Sequence, residues 1–323
     1  MHLIYASDAG YAMPMTVSAA SAAYRANRMV MLVFHVLDLG LTETQWKTLV
    51  STVVEQNENV DFKRVKIDPT MFSWLEAYHG GWATYARLFA FRYLDDSVDW
   101  ALYVDGDTLC LGDVTQILLS RDASRLAIGS LDPAPIVKMG RPDVQWCRDR
   151  NLPIDEDKYI CNGLVLFNVK ELKRFDFEKK AERLLHRYGT PPRHDQTVVN
   201  TLCFGRLGVL PRQWGVFSVD HKDINWREPV VIHYAGEVPW KREKPNRLMS
   251  DVVMLWYAFA EGRLHFRISE VSFASRVWRR ATFLFLKRNQ WIVKMNPYLA
   301  SKFRNIYGIP RSVYNDIIED FQR

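Results

Sequence analysis

The chain has 323 residues, of which 48% are hydrophobic and 25% are charged. This composition is typical of a globular protein with a buried core and excludes a disordered chain, and no run of about 18 apolar residues marks a membrane span. The net charge of +6 comes from the tail: residues 262–323 contain 12 Lys and Arg against 4 Asp and Glu, and the preceding residues are slightly acidic. We therefore expect no nucleic-acid partner.

The N-terminal segment and the cysteines bear on the cellular compartment in which the protein is expected. No Lys or Arg precedes the short N-terminal apolar run, and Asp8 interrupts it, so this segment does not resemble a secretory signal. The four cysteines are scattered singly, without a CxxC pair, which favours free thiols over disulfides or a zinc site. These features predict a cytoplasmic protein.

In chain order, short apolar runs alternate with helical patterns over the first 130 residues, as in βαβ folds. The strands predicted there are residues 2–6, 30–37, 60–67 and 100–104, and the helices are residues 13–24, 42–56 and 84–91. Later strands are predicted at 126–130, 164–167, 206–210 and 230–233, and helices at 177–188 and 195–203. The pattern predicts an α/β catalytic domain, residues 1–260, followed by a helical basic and aromatic region, residues 261–323.

An acidic pair follows one of the apolar strands. In WALYVDGDTLCLGD the strand leads directly into Asp105 and Asp107, and ligands of open α/β sheets bind beyond the carboxyl ends of strands. Two neighbouring carboxylates suit a divalent cation that holds a diphosphate; the alternative is an ordinary capped turn. A second pair with the same spacing, Asp155 and Asp157, has no strand before it, and we interpret it as a solvated loop.

A histidine ends the last predicted strand. The segment VVIHYAGEVPWK places His233 before a turn with Gly236 and ahead of Lys241. A neutral imidazole can complete a coordination sphere, and among carboxylates it favours Mn²⁺ over Mg²⁺. Backbone amides near Gly236, together with Lys241, can hold phosphate oxygens. The alternative is a core histidine beside an ordinary turn.

Seven segments, taken together, carry a family resemblance. They are YASDAGYA, TYARL, YVDGD, the LD of GSLDP, CNGLVLFN, HDQTVVN and HYAGEVPW, and they cover about residues 1–245. In this order they resemble the motif series of family 8 glycosyltransferases, the retaining group that includes bacterial lipopolysaccharide galactosyl- and glucosyltransferases. The resemblance implies a GT-A fold, which is a Rossmann-like nucleotide-binding mixed sheet flanked by helices. It also implies a UDP-galactose or UDP-glucose donor and Mn²⁺, with Mg²⁺ as the alternative ion.

The resemblance further implies roles for single residues. The metal ligands are Asp105, Asp107 and His233. The nucleotide-binding positions are Ala6, Asp8 and Tyr11 of the first loop, with Asp105, Gly236 and Lys241. The donor-sugar positions are Arg87, Asp132, Asn162, Asp195 and Gln196, of which the last two are also the catalytic pair beneath the anomeric carbon.

The chain departs from the family pattern at three places. Ala9 and Gly10 stand where the first loop usually has a second acidic residue and an Asn or Gly, so one uracil or ribose contact is expected to be missing. Lys241 follows the Pro-Trp of the last motif, whereas the family lysine precedes it. Gly163 stands where alanine is frequent, a change that we expect to be neutral.

Two retaining mechanisms remain open at this stage. Gln196 is a poor nucleophile, which favours attack by the acceptor hydroxyl on the face from which UDP departs, through an oxocarbenium-like state that the amide stabilises. Asp195 as a transient nucleophile is the alternative.

The tail has an unusual composition. Residues 271–304 contain eight Lys or Arg and seven aromatic residues but no Asp or Glu, and Phe273, Val277, Ala281 and Leu284 share one helical face. This pattern is typical of an amphipathic helix at an anionic membrane interface, here the inner face of the cytoplasmic membrane. The alternative is a helical subdomain that packs its aromatic residues against the catalytic domain.

The sequence thus predicts Mn²⁺-dependent, retaining transfer of galactose or glucose from UDP to a saccharide acceptor, such as lipopolysaccharide core or another envelope glycan. One alternative is a catalytically silent UDP-sugar-binding protein. The other is a nucleotidyl- or phosphoryl-transferring enzyme, against which the absence of a GxxxxGK[ST] loop argues.

Overall fold

The main element of the computed structural model is a seven-stranded mixed sheet with the order β3-β2-β1-β4-β7-β6-β8. The structure describes residues 1–77, 81–133, 141–218, 224–228, 230–235, 238–240, 250–268, 273–289, 295 and 309–323. The strands of this sheet are β1 (His2–Ser7), β2 (Leu32–Asp38), β3 (Val60–Lys66), β4 (Trp100–Val104), β6 (Ala127–Leu131), β7 (Ile160–Asn168) and β8 (Leu207–Val209). Strands β1 to β4 are parallel, as are β6 and β8, while β7 is antiparallel to its neighbours β4 and β6.

A smaller sheet of three strands continues from the end of β4. Its strands are β5 (Thr108–Cys110), β9 (Val216–Phe217) and β10 (Val231–His233), in the order β5-β10-β9. Strand β10 runs antiparallel to β5, and His233 lies opposite Thr108. This pairing brings the histidine to the turn that separates β4 from β5.

Helices cover both faces of the large sheet. They are α1 (Ala12–Arg25), α2 (Glu43–Gln56), α3 (Ala83–Ala86), α4 (Pro142–Arg148), α5 (Val169–Arg174), α6 (Phe177–Tyr188), α7 (His194–Leu202), α8 (Asp251–Tyr257), α9 (Phe273–Arg288) and α10 (Arg311–Gln322). Local chemistry explains where several of them begin. Thr42 and Gln45 form a capping box at α2, and Asn168 accepts a hydrogen bond from the Glu171 amide at the start of α5.

The central strands are buried on both sides, unlike the edge strand β3, so their successive residues enter two different cores. Leu3, Tyr5 and Leu102 belong to the core beneath α1, α2, α8 and α10. Ile4 and Tyr103 point to the opposite core, which α5, α6 and α7 close. Continuous apolar runs such as these are expected where both faces of a strand are covered.

The C-terminal helix packs back on the first helix. The rings of Tyr24 and Phe321 lie 6.4 Å apart, and an ion pair of 2.5 Å joins Arg25 to Asp320. A π-helical turn, Ala258–Arg263, continues α8 and runs through the proposed boundary at residue 260. Among the described residues, no helix is both long enough and apolar enough to cross a bilayer.

The predicted strands and most predicted helices are present with small shifts of their ends. Residues 84–91, predicted as one helix, instead form the single turn α3 followed by 3-10 turns at Arg87–Phe89 and Phe91–Tyr93. Residues 85–91 are all buried, so packing rather than helical periodicity decides their conformation. The prediction missed β5, β9, α4, α5 and α8, each too short to give a periodic signal.

Candidate functional site

The predicted site residues that the structure describes meet at one edge of the large sheet because of strand direction. The carboxyl ends of β1, β4 and β6 lie at this edge, and the antiparallel strand β7 begins there. The Asp105 amide donates to the Gly163 carbonyl oxygen at 2.8 Å, and the Asp132 amide donates to that of Tyr159 at 2.9 Å. Side chains that follow three strands and begin a fourth are therefore neighbours.

Asp105, Asp107 and His233 form a compact group of metal-ligating side chains. One ligand atom of each lies within 4.8 Å of the others. The His233 Nε2 atom is 3.2 Å from Asp107 Oδ1 and 3.8 Å from Asp105 Oδ2. Two carboxylates and an imidazole form a donor set that fits a divalent cation, as the sequence predicts.

The charges in this group compensate one another. Burial opposes protonation of His233, but the Asp107 carboxylate outweighs it and raises the His233 pKa well above its ordinary value. Burial likewise opposes ionisation of Asp107, yet His233 and the Tyr11 hydroxyl hold the pKa of this carboxyl below its usual value. For Asp105, burial wins and raises the pKa. A bound cation would take over the role of the imidazolium charge.

The imidazole ring of His233 is held with Nε2 toward the carboxylates. Its Nδ1 atom lies 3.9 Å from the Cys161 sulfur, and the Phe217 ring is 5.2 Å away. A Cβ atom on Gly163 would be only 2.3 Å from His233 Cε1. The expectation that alanine is neutral at position 163 is therefore wrong for this ring position, because alanine requires the imidazole or β7 to shift.

Arg87 connects the acidic pair to the predicted catalytic pair. Its guanidinium lies 2.7 Å from Asp105 Oδ1 and 3.0 Å from Asp195 Oδ2, and it donates to the Asn162 carbonyl oxygen at 2.6 Å. Burial opposes the positive charge, but the two carboxylates outweigh it and raise the Arg87 pKa. The guanidinium also lies 4.1 Å from the centre of the Tyr103 ring. Arg87 is thus the cation that permits two acidic groups to be buried side by side.

Asn162, Asp195 and Gln196 form a connected polar surface beside Arg87. Asn162 Nδ2 donates to Asp195 Oδ2 at 2.7 Å, and the Asn162 backbone amide donates to Gln196 Oε1 at 3.3 Å. The Gln196 amide nitrogen donates to Asp132 Oδ2 at 2.8 Å. Among the described residues, nothing donates to the buried Asn162 Oδ1.

The first loop lies next to the acidic pair. Asp8 accepts a hydrogen bond from the Tyr11 amide at 3.0 Å, so it caps the 3-10 turn Ala9–Tyr11. The Tyr11 hydroxyl donates to Asp107 Oδ2 at 3.3 Å. Ala6 lies in β1, one step before the loop. Gly236 and Lys241, the two predicted phosphate-binding positions, lie outside the described residues.

Sequence reasoning missed five polar residues of this edge. They are Thr84 and Tyr103, which donate to Asp195 and Asp105 respectively, and Arg141, Asp143 and Arg193 around Asp132. Thr84 stands in the TYARL segment and Arg193 directly precedes HDQTVVN, so proximity to a motif was the available signal. Asp143 gave none, because a single acidic residue near a helix start is indistinguishable from a cap.

The mixed sheet of this chain, with an acidic pair and a histidine at its carboxyl edge, has the GT-A fold. The sequence model of glycosyl transferase family 8 matches residues 2–244. The chain therefore belongs to glycosyl transferase family 8.

The chain is similar in sequence to two named bacterial sugar transferases and in fold to a solved galactosyltransferase structure. It is 25% identical over 261 residues to a lipopolysaccharide 1,2-glucosyltransferase of Escherichia coli strain K12, covering 75% of this chain and 73% of the relative. It is 26% identical over 196 residues to a lipopolysaccharide 1,3-galactosyltransferase of Salmonella typhimurium, covering 56% of this chain and 54% of the relative. The structure of the galactosyltransferase LgtC, solved with donor and acceptor sugar analogues, is similar in fold, with a TM-score of 0.62, 24% identity and coverage of 75% of this chain and 90% of that one.

Proposed function

We propose that this protein transfers galactose or glucose from a UDP-sugar to a saccharide acceptor, with retention of configuration and with bound Mn²⁺. The observation that carries the proposal is the juxtaposition of two groups at one sheet edge. The metal-ligating group Asp105, Asp107 and His233 is joined through a single buried arginine, Arg87, to Asp195. One group can hold a diphosphate through a cation, and the other can face the sugar attached to it.

The donor would lie across the loops that follow β1 and β4. Asp105, Asp107 and His233 would hold Mn²⁺, which would supply Lewis-acid stabilisation of the charge on the departing diphosphate. Ala6, Asp8 and Tyr11 lie where the uracil and ribose would extend, with Tyr11 tied to Asp107. Gly236 and Lys241 complete the proposed phosphate contacts.

The hydrogen bonds of Asp195 favour attack from the front face. Its carboxylate is 4% exposed and is engaged by the Arg87 guanidinium, the Asn162 amide and the Thr84 hydroxyl. A carboxylate whose lone pairs are held by three donors is a weak nucleophile, because attack must break those bonds. In this role Asp195 fixes Arg87 and Asn162 and does not form a covalent intermediate.

The transfer step then involves two bonds at the anomeric carbon. The bond to the β-phosphate oxygen breaks as the acceptor oxygen forms a new bond on the same face, and the departing phosphate oxygen takes the acceptor's proton. Gln196 Oε1, fixed by the Asn162 amide, is the dipole proposed to stabilise the oxocarbenium-like carbon. Arg87, Asp132 and Asn162 would orient the sugar hydroxyls.

The acceptor is proposed to be lipopolysaccharide core or a related envelope glycan. Two relatives carry lipopolysaccharide glucosyl- or galactosyltransferase activities in their names, which supports this substrate class. Such acceptors are lipid-linked, so a membrane-facing surface would assist the reaction.

The experiment that tests this function is UDP release from a panel of UDP-sugars, with Mn²⁺, with Mg²⁺ and with a chelator. Slow hydrolysis of the donor suffices, so no acceptor has to be known. We expect release from UDP-galactose or UDP-glucose that is fastest with Mn²⁺ and absent with the chelator. Silence toward every donor, with Mn²⁺-dependent UDP binding retained in calorimetry, would instead support a UDP-sugar-binding protein, and loss of binding as well would refute the site.

We further propose that the outer face of α9 lies on an anionic membrane surface. Three basic residues of α9 turn inward, while Arg288 is exposed. Arg276 pairs with Glu261 at 2.7 Å, and Arg280 and Lys287 pair with Asp251 at 2.6 and 2.7 Å. The opposite face presents apolar side chains, with Trp278 66% and Phe285 57% exposed. This exposed apolar face supports the membrane proposal over a helix that packs all its aromatic residues on the catalytic domain.

Flotation with phosphatidylglycerol-containing vesicles tests this surface. We expect the double variant Trp278→Ser/Phe285→Ser to lose most vesicle binding while it keeps donor hydrolysis. The matched control is Met29→Ser/Leu119→Ser, which removes two apolar side chains that are 89% and 86% exposed elsewhere. Equal binding by both variants would refute a membrane role for α9.

A further inference from the structure

Four charged side chains beside the site form a closed ring of alternating sign, here called the charged ring: Asp132, Arg141, Asp143 and Arg193. Arg193 lies 3.4 Å from Asp132 and 3.5 Å from Asp143. Arg141 lies 3.7 Å from Asp132 and 3.9 Å from Asp143. Each arginine thus contacts both carboxylates, and the ring has no net charge.

Both carboxylates of the charged ring are buried, and the two arginine side chains are 13% and 23% exposed. Asp143 is fully buried and Asp132 is 6% exposed, and the Arg141 guanidinium lies 4.3 Å from the centre of the Tyr159 ring. Burial, with the Asp143 carboxylate nearby, raises the pKa of Tyr159 well above its ordinary value. Buried ion pairs contribute little net stability over apolar residues of similar volume, so their retention calls for another explanation.

The charged ring makes a hydrogen bond toward the reacting centre through Asp132. Asp132 Oδ2 accepts the hydrogen bond from Gln196 Nε2 at 2.8 Å. An ionised carboxylate accepts hydrogen bonds only, so it selects the NH₂ end of the Gln196 amide. The amide oxygen is thereby turned to the opposite side, where the Asn162 amide holds it at 3.3 Å.

We infer that Asp143 is a positioning residue that fixes the orientation of the Gln196 amide through Arg193, Arg141 and Asp132; the inference rests on the proposed function. Asp143 shares the two arginines with Asp132 and keeps the ring neutral. Without its charge, Asp132 is the one anionic partner left to both guanidinium groups within the described part of the chain, and they compete with the Gln196 NH₂ group for the same carboxylate oxygens. The amide then loses its fixed orientation, although Asp143 touches neither Gln196 nor the proposed substrate positions.

The test is the variant Asp143→Asn, which removes the charge and conserves the shape. For UDP release from the active donor, we expect kcat to fall about 10- to 100-fold because Gln196 is displaced, while the Kd for UDP with Mn²⁺ changes less than about twofold. The double variant Asp143→Asn/Arg141→Gln restores a neutral ring around Asp132 and Arg193, and it should recover most of the lost kcat.

The matched control is Asp251→Asn. Asp251 is 2% exposed and also lies between two cations, Arg280 and Lys287, but far from Gln196 in the fold. We expect this variant to lose thermal stability to a similar degree and to keep the wild-type kcat. A kcat of Asp143→Asn equal to that of this control would overturn the inference and leave Asp143 a structural residue.

Two further outcomes are distinguishable. If Asp143→Asn does not fold, Arg193→Lys keeps the ring charge but cannot bridge both carboxylates, and an unchanged kcat in that variant would overturn the inference. If the wild-type protein releases no UDP from any donor, the proposed function itself is refuted. That result is obtained without any variant of the charged ring, so it is distinct from a failure of the inference about Asp143.

Discussion

Two acidic pairs of this chain have the same spacing and entirely different surroundings. Asp105 and Asp107 follow a strand in the centre of the sheet and meet His233 and Arg87. Asp155 and Asp157 lie in an exposed loop, where Asp155 Oδ1 accepts hydrogen bonds from the amides of Asp157 and Lys158. The buried side chains of Arg87 and His233 balance the negative charge of the first pair, whereas the second pair accepts hydrogen bonds from the backbone of its own loop. A candidate metal site therefore requires the preceding buried strand, since the Asp-x-Asp spacing alone is common to both pairs.

The largest effect is expected when one aspartate of each pair is replaced by alanine. Asp107→Ala should reduce UDP release about 1,000-fold, because several kcal/mol of charge stabilisation at the diphosphate are lost. Asp157→Ala, the matched change in the exposed pair, should leave the rate within about twofold of wild type. Steady-state rates at saturating Mn²⁺ measure both, and comparable losses in the two variants would contradict the assignment.

A second test concerns the cation that compensates the buried pair. Arg87→Gln leaves Asp105 and Asp195 without their shared partner, and we expect it to lower the free energy of unfolding by about 3 kcal/mol. Arg92→Gln breaks an ion pair with Glu178 at a position where Arg92 is 43% exposed, and it should cost less than about 1 kcal/mol. Urea unfolding compares the two, and equal losses would show that Arg87 is not the compensating charge.

A third test addresses a titratable group of the same sheet that has no compensating anion in contact. His35 in β2 is 3% exposed, and its ring lies 2.9 Å from that of His2; burial and this neighbour lower the pKa of His35 to about 4. Because the unfolded chain binds this proton near pH 6.5, the native state loses stability as the pH falls from about 6.5 to 4. The loss approaches about 3 kcal/mol at the lower limit.

The His35→Gln variant isolates this contribution. Its stability should fall less between pH 7 and pH 4 than that of the wild type, because the proton that His35 takes up on unfolding is removed while the other histidines and the carboxylates still titrate. Urea unfolding across this range measures the difference. Parallel pH profiles for the two proteins would show that the histidine pair does not govern acid stability.

The smallest expected effect concerns the space around His233. Gly163→Ala should raise the Mn²⁺ concentration for half-maximal activity about tenfold, because the new Cβ displaces the imidazole from its position. Gly262→Ala is the control, since a Cβ there meets nothing within 4 Å. A Mn²⁺ titration unchanged in Gly163→Ala would mean that the ring moves without cost.

Much of the fold could be predicted because the strands carry their own signal. The apolar runs of β1, β2 and β4 and the alternation with α1 and α2 are local features, and hydrophobic periodicity reports them. The α/β class, the GT-A fold and the family followed from these runs and from seven ordered motifs. The helical region after residue 260 was visible in its composition.

The candidate site was predictable only as a set of residue types at strand ends. The motifs named Asp105, Asp107, His233, Arg87 and Asp195, and the structure brings these side chains together. Sequence reasoning could not find Asp143 or Arg141, because their importance arises from contacts with Asp132 that no local pattern encodes. Nor could it see that Gly163 leaves room for the ring of His233.

The sequence by itself determined the strands, the order of the motifs and the chemistry available at each strand end, since these depend on neighbouring residues in the chain. Only the tertiary structure decided which acidic side chains share a cationic partner. The antiparallel direction of β7 brings Asn162 beside Asp195, and the pairing of β5 with β10 carries His233 to the acidic pair. Likewise, only packing turned Arg276 and Arg280 of α9 inward and its Trp278 outward. Such contacts depend on strand direction and burial, which are properties of the whole fold.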